Sequence, residues 1–203
     1  MRGRQRERSI ADELKFQILI LGGCVAIAWG LELFDLFVLK GGYNFGGGLD
    51  KHGIIPRTPI GLQGILFAPF LHGGLGHLIG NTIPFIVLGW LVMLRETTDF
   101  FVVSIISALV SGLGTWMFGA PGIHLGASGV IFGYLGYLLA RGYFERSGFA
   151  IAMSLFVGAL YGSLIWGVLP FQQGISWEGH LFGFIGGTVS AKLLADDRRS
   201  VGG

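Results

Sequence analysis

The sequence predicts an all-α, polytopic membrane protein: a bundle of six spanning helices with both termini on the same side. Three observations predict it. Hydrophobic residues make up 52% of the 203-residue chain and charged residues only 13%, about half the charged fraction of an average soluble domain, and the mean hydropathy is +0.67. Six apolar runs approach the roughly 20 residues that a helix needs to cross the hydrocarbon core. Lysine and arginine are distributed unevenly between the pieces that join those runs.

In chain order, residues 1–15 (MRGRQRERSIADELK) form a short, basic, polar N-terminus. The apolar run that follows is too long for a signal-peptide core and lacks a small-residue cleavage site, so it reads as a first span. The six spans lie near 16–39, 77–94, 100–118, 126–141, 149–169 and 178–195. Between them fall Arg95 to Asp99, Gly119 to Gly122, Arg141 to Ser147 and Pro170 to Gly174. The fourth run is short, which predicts irregular backbone over 119–125. Such backbone is tolerated at membrane depth only where protein or a wet cavity covers it. Residues 40–76 open with GGYNFGGGLD and turn apolar again from Ile60 to Phe70, the pattern of a loop lying partly in the interface. Residues 196–203 form a tail. One membrane domain, 16–195, accounts for the chain.

Orientation follows from the positive charges. With the N-terminus inside, the inside pieces hold all but Lys40, Lys51 and Arg57 of the 14 Lys and Arg residues. Cytoplasmic segments carry such an excess, so both termini are expected in the cytoplasm. The net charge of +2 is too small to indicate a nucleic-acid partner. Cys24, the only cysteine, excludes an intrachain disulfide and any CxxC metal motif. The 37 glycines follow no collagen-like period and fall within apolar runs, as closely packed membrane helices require.

This topology gathers the polar residues. The second, fourth and sixth spans all run inward. Their outer ends hold His77 and Asn81, then Gly126-Ala127-Ser128-Gly129, then His180. Polar groups at membrane depth are costly and are functional candidates by default. His77 and Asn81 stand at i and i+4, on one helix face. His180, Gly183 and Gly187 form one small-residue seam, and Gly129, Gly133 and Gly136 another beside Ser128. Seams of this kind let backbones approach closely, so the fourth and sixth helices are expected to pack together and bring Ser128 to His180. A serine hydroxyl needs a base to become a nucleophile, and neutral imidazole serves near neutral pH. The oxyanion then needs donors, for which the Ser128 amide, His77 and Asn81 are candidates. Each feature alone is a common packing element; their convergence carries the reading. Glu178, two residues before His180, is expected to point away from it, and Glu32 and Asp35 are unusual for a span.

At these residues the sequence resembles the rhomboid family of intramembrane serine proteases. The matching pieces are His72, His77-xxx-Asn81, Gly126-Ala127-Ser128-Gly129 and Gly179-His180-xx-Gly183-xxx-Gly187, in the family's order. The resemblance implies a rhomboid-like six-helix bundle and a Ser128–His180 dyad without an acid. It implies an oxyanion hole from His77, Asn81 and the Ser128 amide, and a supporting, water-binding His72. It further implies single-span transmembrane proteins as substrates, no cofactor, no metal, and a loop at 170–177 capping the site. The setting implied is a bacterial plasma membrane with the active site toward the outer face.

Two positions depart from the family pattern. Where many members carry a tyrosine one turn after the serine, this chain has Phe132, which can stack on His180 but cannot donate a hydrogen bond. The Trp-Arg pair common in the first loop is missing from 40–76, which holds Arg57 after Pro56. Two other readings compete: a non-catalytic binder or escort of membrane helices, and a metal transporter or metalloenzyme using the outer histidines. The sequence has no HExxH for the latter.

Overall fold

The computed structural model describes residues 9–40, 46–170 and 174–202. Residues 1–8 of the basic N-terminus, 41–45 of the first loop and 171–173 of the expected cap lie outside the described residues. Among the described residues six long helices carry the fold: α1 (Ile10–Phe34), α2 (Leu75–Met93), α3 (Thr97–Phe118), α4 (Ser128–Glu145), α5 (Gly148–Tyr161) and α6 (Trp177–Gly202). A π-turn, Asp35–Leu39, extends α1, and a 3-10 segment, Gly162–Val168, extends α5. No strand occurs among the described residues; a single antiparallel bridge joins Ile54 to His124.

Local chemistry sets the helix ends. The Ser9 hydroxyl caps α1 by accepting from the Asp12 amide, with Asp12 and Glu13 in the first turn, where acidic side chains suit the helix dipole. Ser147 caps α5 by accepting from the Ala150 amide. Arg146, left-handed at φ 55°, ends α4. The guanidinium of Arg57 caps α3 from outside, donating to the carbonyls of Met117 and Gly119 at 3.3 and 2.9 Å. α6 begins before His180 and runs on to Gly202, through the stretch expected as a tail.

Among the described residues four helical segments are long and apolar enough to cross a membrane: Ile10–Leu39, Leu75–Met93, Thr97–Phe118 and Gly148–Val168. α4 has a different surface for a physical reason. Every residue from Gly129 to Leu138 is buried, so α4 is the central post of the bundle and presents little to lipid. It packs mainly against α6, with α3 and α5 on its other flanks.

Glycine makes the α4–α6 contact possible. A Cβ on Gly183 would stand 2.0 Å from the Gly129 carbonyl oxygen, one on Gly187 1.8 Å from that of Gly133, and one on Gly136 2.3 Å from that of Phe184. The obstacles are backbone atoms and cannot rotate away. The two seams expected from the sequence therefore do meet, and α3 supports them: Ser107 and Ser111 pack where side chains on Gly133 and Gly129 would stand.

At the end opposite the α4 N-terminus, charged side chains tie the helices together. Arg198 donates to Asp99 and to Glu145, both at 2.7 Å, and Tyr137 donates to Asp99 at 2.8 Å. Arg141 is fully buried, bonded through Nε to Glu145 at 2.8 Å and lying over the rings of Tyr137 and Phe149. Buried charges of this kind persist only when paired.

Candidate active site

The α4 N-terminus lies where three helices and two irregular segments meet. A cavity of about 570 Å³ there is lined by His77 and Asn81 of α2, Ser128 and Phe132 of α4, and His180 of α6. His124 from the irregular stretch before α4 and Ser176 from the end of the loop before α6 complete the wall. The four residues expected at one depth, His77, Asn81, Ser128 and His180, thus share one space, with Phe132 beside them.

Hydrogen bonds define the state of the imidazoles. His180 Nδ1 lies 2.9 Å from the carbonyl oxygen of Gly167. A carbonyl can only accept, so Nδ1 carries the proton and Nε2 is left with its lone pair. The ring of Phe132 stacks on His180, with centroids 4.1 Å apart and planes 7° apart. Gly167 must be small here: a Cβ would stand 2.7 Å from Phe132 Cζ and 3.3 Å from His180 Nδ1. Phe132 therefore holds the base by its face, and the Gly167 carbonyl orients it by its edge. The carbonyl carries no side-chain signature, so no residue type in the chain points to it.

His77 and Asn81 point their donors the same way. The Gly73 amide donates to His77 Nδ1 over a long 3.5 Å, which leaves the proton on Nε2. Asn81 Nδ2 donates one hydrogen to the His77 carbonyl at 3.1 Å and keeps the other. Gly126 presses against both: at φ +108° its Cβ would lie 2.7 Å from His77 Nε2 and 3.4 Å from Asn81 Nδ2. The Gly126 amide donates to the Ala68 carbonyl at 2.8 Å, which seats the α4 N-terminus on the first loop. Ser128 Oγ makes no hydrogen bond with any described residue and is partly exposed to the cavity.

The remaining candidates fall outside this cavity or at its rim. His72 is buried beside His77, ring centroids 5.1 Å apart, and both its nitrogens lack a partner at hydrogen-bond geometry. Glu178 does turn away from His180; it accepts from the Ala120 amide at 3.0 Å. His124, not assigned a role from sequence, donates from Nε2 to the Ala120 carbonyl at 2.9 Å and accepts from the Ser176 hydroxyl at 2.8 Å. It thereby joins the two irregular segments over the cavity. His52 packs on Phe67, away from the site.

The first loop is anchored by a buried ionic cluster. Lys40 pairs with Asp35 at 2.9 Å and Asp50 at 2.7 Å, and the Leu49 and Gly46 amides donate to Asp35 and Asp50. Trp116 Nε1 donates to the Thr58 carbonyl at 2.8 Å, adding to the Arg57 cap. These contacts hold the loop without a Trp-Arg pair.

A helical membrane bundle that sets a serine and a histidine on one cavity defines the class of protein. The family follows directly. The Rhomboid domain family model matches residues 61–196, and the chain belongs to the rhomboid family. It is 40% identical to an uncharacterized protein of Mycobacterium tuberculosis over 184 residues, covering 86% of this chain and 74% of that one. An uncharacterized Mycobacterium leprae protein is 41% identical over 161 residues, 74% of this chain and 63% of the relative. A protein of Acanthamoeba polyphaga mimivirus named as a rhomboid protein is 31% identical over 144 residues, 67% of this chain and 77% of that one.

Proposed function

We propose that the chain is an intramembrane serine endopeptidase that cuts single-span membrane proteins at or near their transmembrane segment, through Ser128 and His180. One observation carries the reading: His180 spends Nδ1–H on the Gly167 carbonyl and keeps Nε2 basic, while Ser128 lines the same cavity.

In the reaction His180 Nε2 takes the Ser128 hydroxyl proton as Oγ bonds to the scissile carbonyl carbon. The carbonyl oxygen becomes an oxyanion, held by the Ser128 amide, His77 Nε2–H and the free Asn81 Nδ2–H. Collapse breaks the C–N bond, and the leaving amine takes the proton from His180. Water then repeats the sequence on the acyl-enzyme and restores Ser128. Such donors lower the barrier because they are aimed before charge develops. Gly167 takes the orienting role that an acid holds in other serine hydrolases. His72 supports His77 from behind. The chemistry needs no metal or cofactor.

The same reading sets six spans in a bacterial plasma membrane, termini in the cytoplasm, cavity toward the outer face, and the segment 170–177 as its cap. The test is cleavage of a model single-span substrate by the full chain reconstituted in vesicles. Ser128→Ala and His180→Ala should each lose roughly a thousandfold or more in rate. Undiminished cleavage by Ser128→Ala would show that another group does the chemistry and favour the escort reading.

A further inference from the structure

A second cavity lies behind the first. It holds about 330 Å³ between α1 and α3, with α2 and α4 as its floor and the loop helix Ile60–Phe70 as its roof. Asn81 lines both cavities, and Ala127, beside Ser128, lines this one.

The walls are mostly hydrocarbon, with the neutral side chains of His72 and Asn81 at the end beside α2; among the described residues no Asp, Glu, Lys or Arg lines the space. Its hydroxyls are turned onto protein partners: Ser104 bonds Tyr134 at 2.7 Å, and Thr82 donates to the Leu78 carbonyl at 2.8 Å. The groove follows the helix axes. On α3 it runs from Phe101 through Ile105 to Leu109, a length of about 12 Å at 1.5 Å rise per residue. It opens sideways, since those three side chains and Leu66 of the roof are exposed. In a chain whose α1 and α3 segments are fit to cross a membrane, that opening faces lipid.

Access and chemistry decide the occupant. An apolar groove that opens to the bilayer is filled by the hydrocarbon around it, and its run of about 12 Å along α3 suits one extended acyl chain. Leaving so large an apolar space unfilled would also forfeit dispersion contacts along every wall.

We propose that this groove is a resident site for one acyl chain of a membrane phospholipid, lying along the bundle axis behind Asn81. The chain packs between Cys24 and Ala28 of α1 and Ile105 and Ala108 of α3. It supports from behind the residue that faces the Ser128 cavity. The proposal does not depend on catalysis.

The test uses the full chain in phosphatidylcholine vesicles doped with a phospholipid bearing a diazirine at mid-chain, irradiated and mapped by peptide mass spectrometry. The expected result is adduct enrichment on Cys24–Ala28 and Ser104–Leu109 over Leu155 and Phe156, which are exposed on α5. Ala108→Phe and, from the opposite wall, Ala28→Phe should each reduce groove adducts to the α5 level while α5 adducts stay unchanged. The second variant guards against misfolding of the first. Adducts spread evenly over all exposed faces, or groove adducts unmoved by either folded variant, would overturn the proposal.

Discussion

Phe132 lies flat against His180, 4.1 Å between ring centroids and 7° between planes, and its far edge abuts Gly167, whose carbonyl accepts from the same imidazole. Two residues thus fix one ring. A tyrosine hydroxyl is not required, because the edge of the imidazole already has its acceptor.

Gly167→Ala tests that arrangement. The added methyl meets Phe132 and His180 within 2.7 and 3.3 Å, so the ring must turn or the 3-10 segment must retreat. Cleavage rate should fall by about tenfold or more, corresponding to at least about 1.4 kcal/mol of lost transition-state stabilisation. Substrate KM should change little. Phe132→Leu should also slow the reaction, whereas Phe132→Tyr should bring no large gain. Rate and KM measured separately on reconstituted protein check all three.

Gly187→Ala addresses the seam. Its methyl would stand 1.8 Å from the Gly133 carbonyl, and neither backbone can yield locally. Overpacking of this kind costs about 1–3 kcal/mol, and here it also pushes α6, and with it His180, off α4. Both stability and activity should fall. Gly22→Ala on α1, with nothing within 4 Å of the new methyl, should leave both unchanged. Thermal unfolding in detergent alongside cleavage assays reads the contrast.

His72 predicts an acid-sensitive fold. It sits between the loop helix and α2, where burial, reinforced by neighbouring His77, pushes its imidazole down to about 4. The folded state prefers the neutral ring. Its stabilisation is therefore fully present above the unfolded value of 6.5 and is lost as pH falls from there toward 4. The full loss is on the order of 3 kcal/mol. The unfolding midpoint should drop across that window in the wild type and drop less in His72→Phe. Equal slopes would count against a buried neutral His72.

Much of this was legible in the sequence because it is periodic or local. The apolar runs, the glycine seams at Gly129/Gly133 and Gly183/Gly187, and the one-sided clustering of Ser128, His77, Asn81 and His180 all follow from helix geometry. Glu178, two residues from His180 on the helix, faces away from it as that spacing predicts and accepts from the Ala120 amide. The parts that were not legible depend on backbone or on long-range pairing. The Gly167 carbonyl has no side chain to betray it. Asp35 stood out as a carboxylate in a span, but its partners, Lys40 and the Leu49 amide, become visible only when the loop folds back. His124 bonds Ser176 across 52 residues, a contact with no periodic signal.

The central claim is that Ser128 is a nucleophile activated by His180. Its most direct measurement is covalent labelling of the reconstituted protein by a serine-directed fluorophosphonate, with the modified peptide mapped. The account predicts one adduct, on Ser128, lost in Ser128→Ala and strongly slowed in His180→Ala. Labelling that persists in folded Ser128→Ala, or that proceeds at the wild-type rate in His180→Ala, would contradict it.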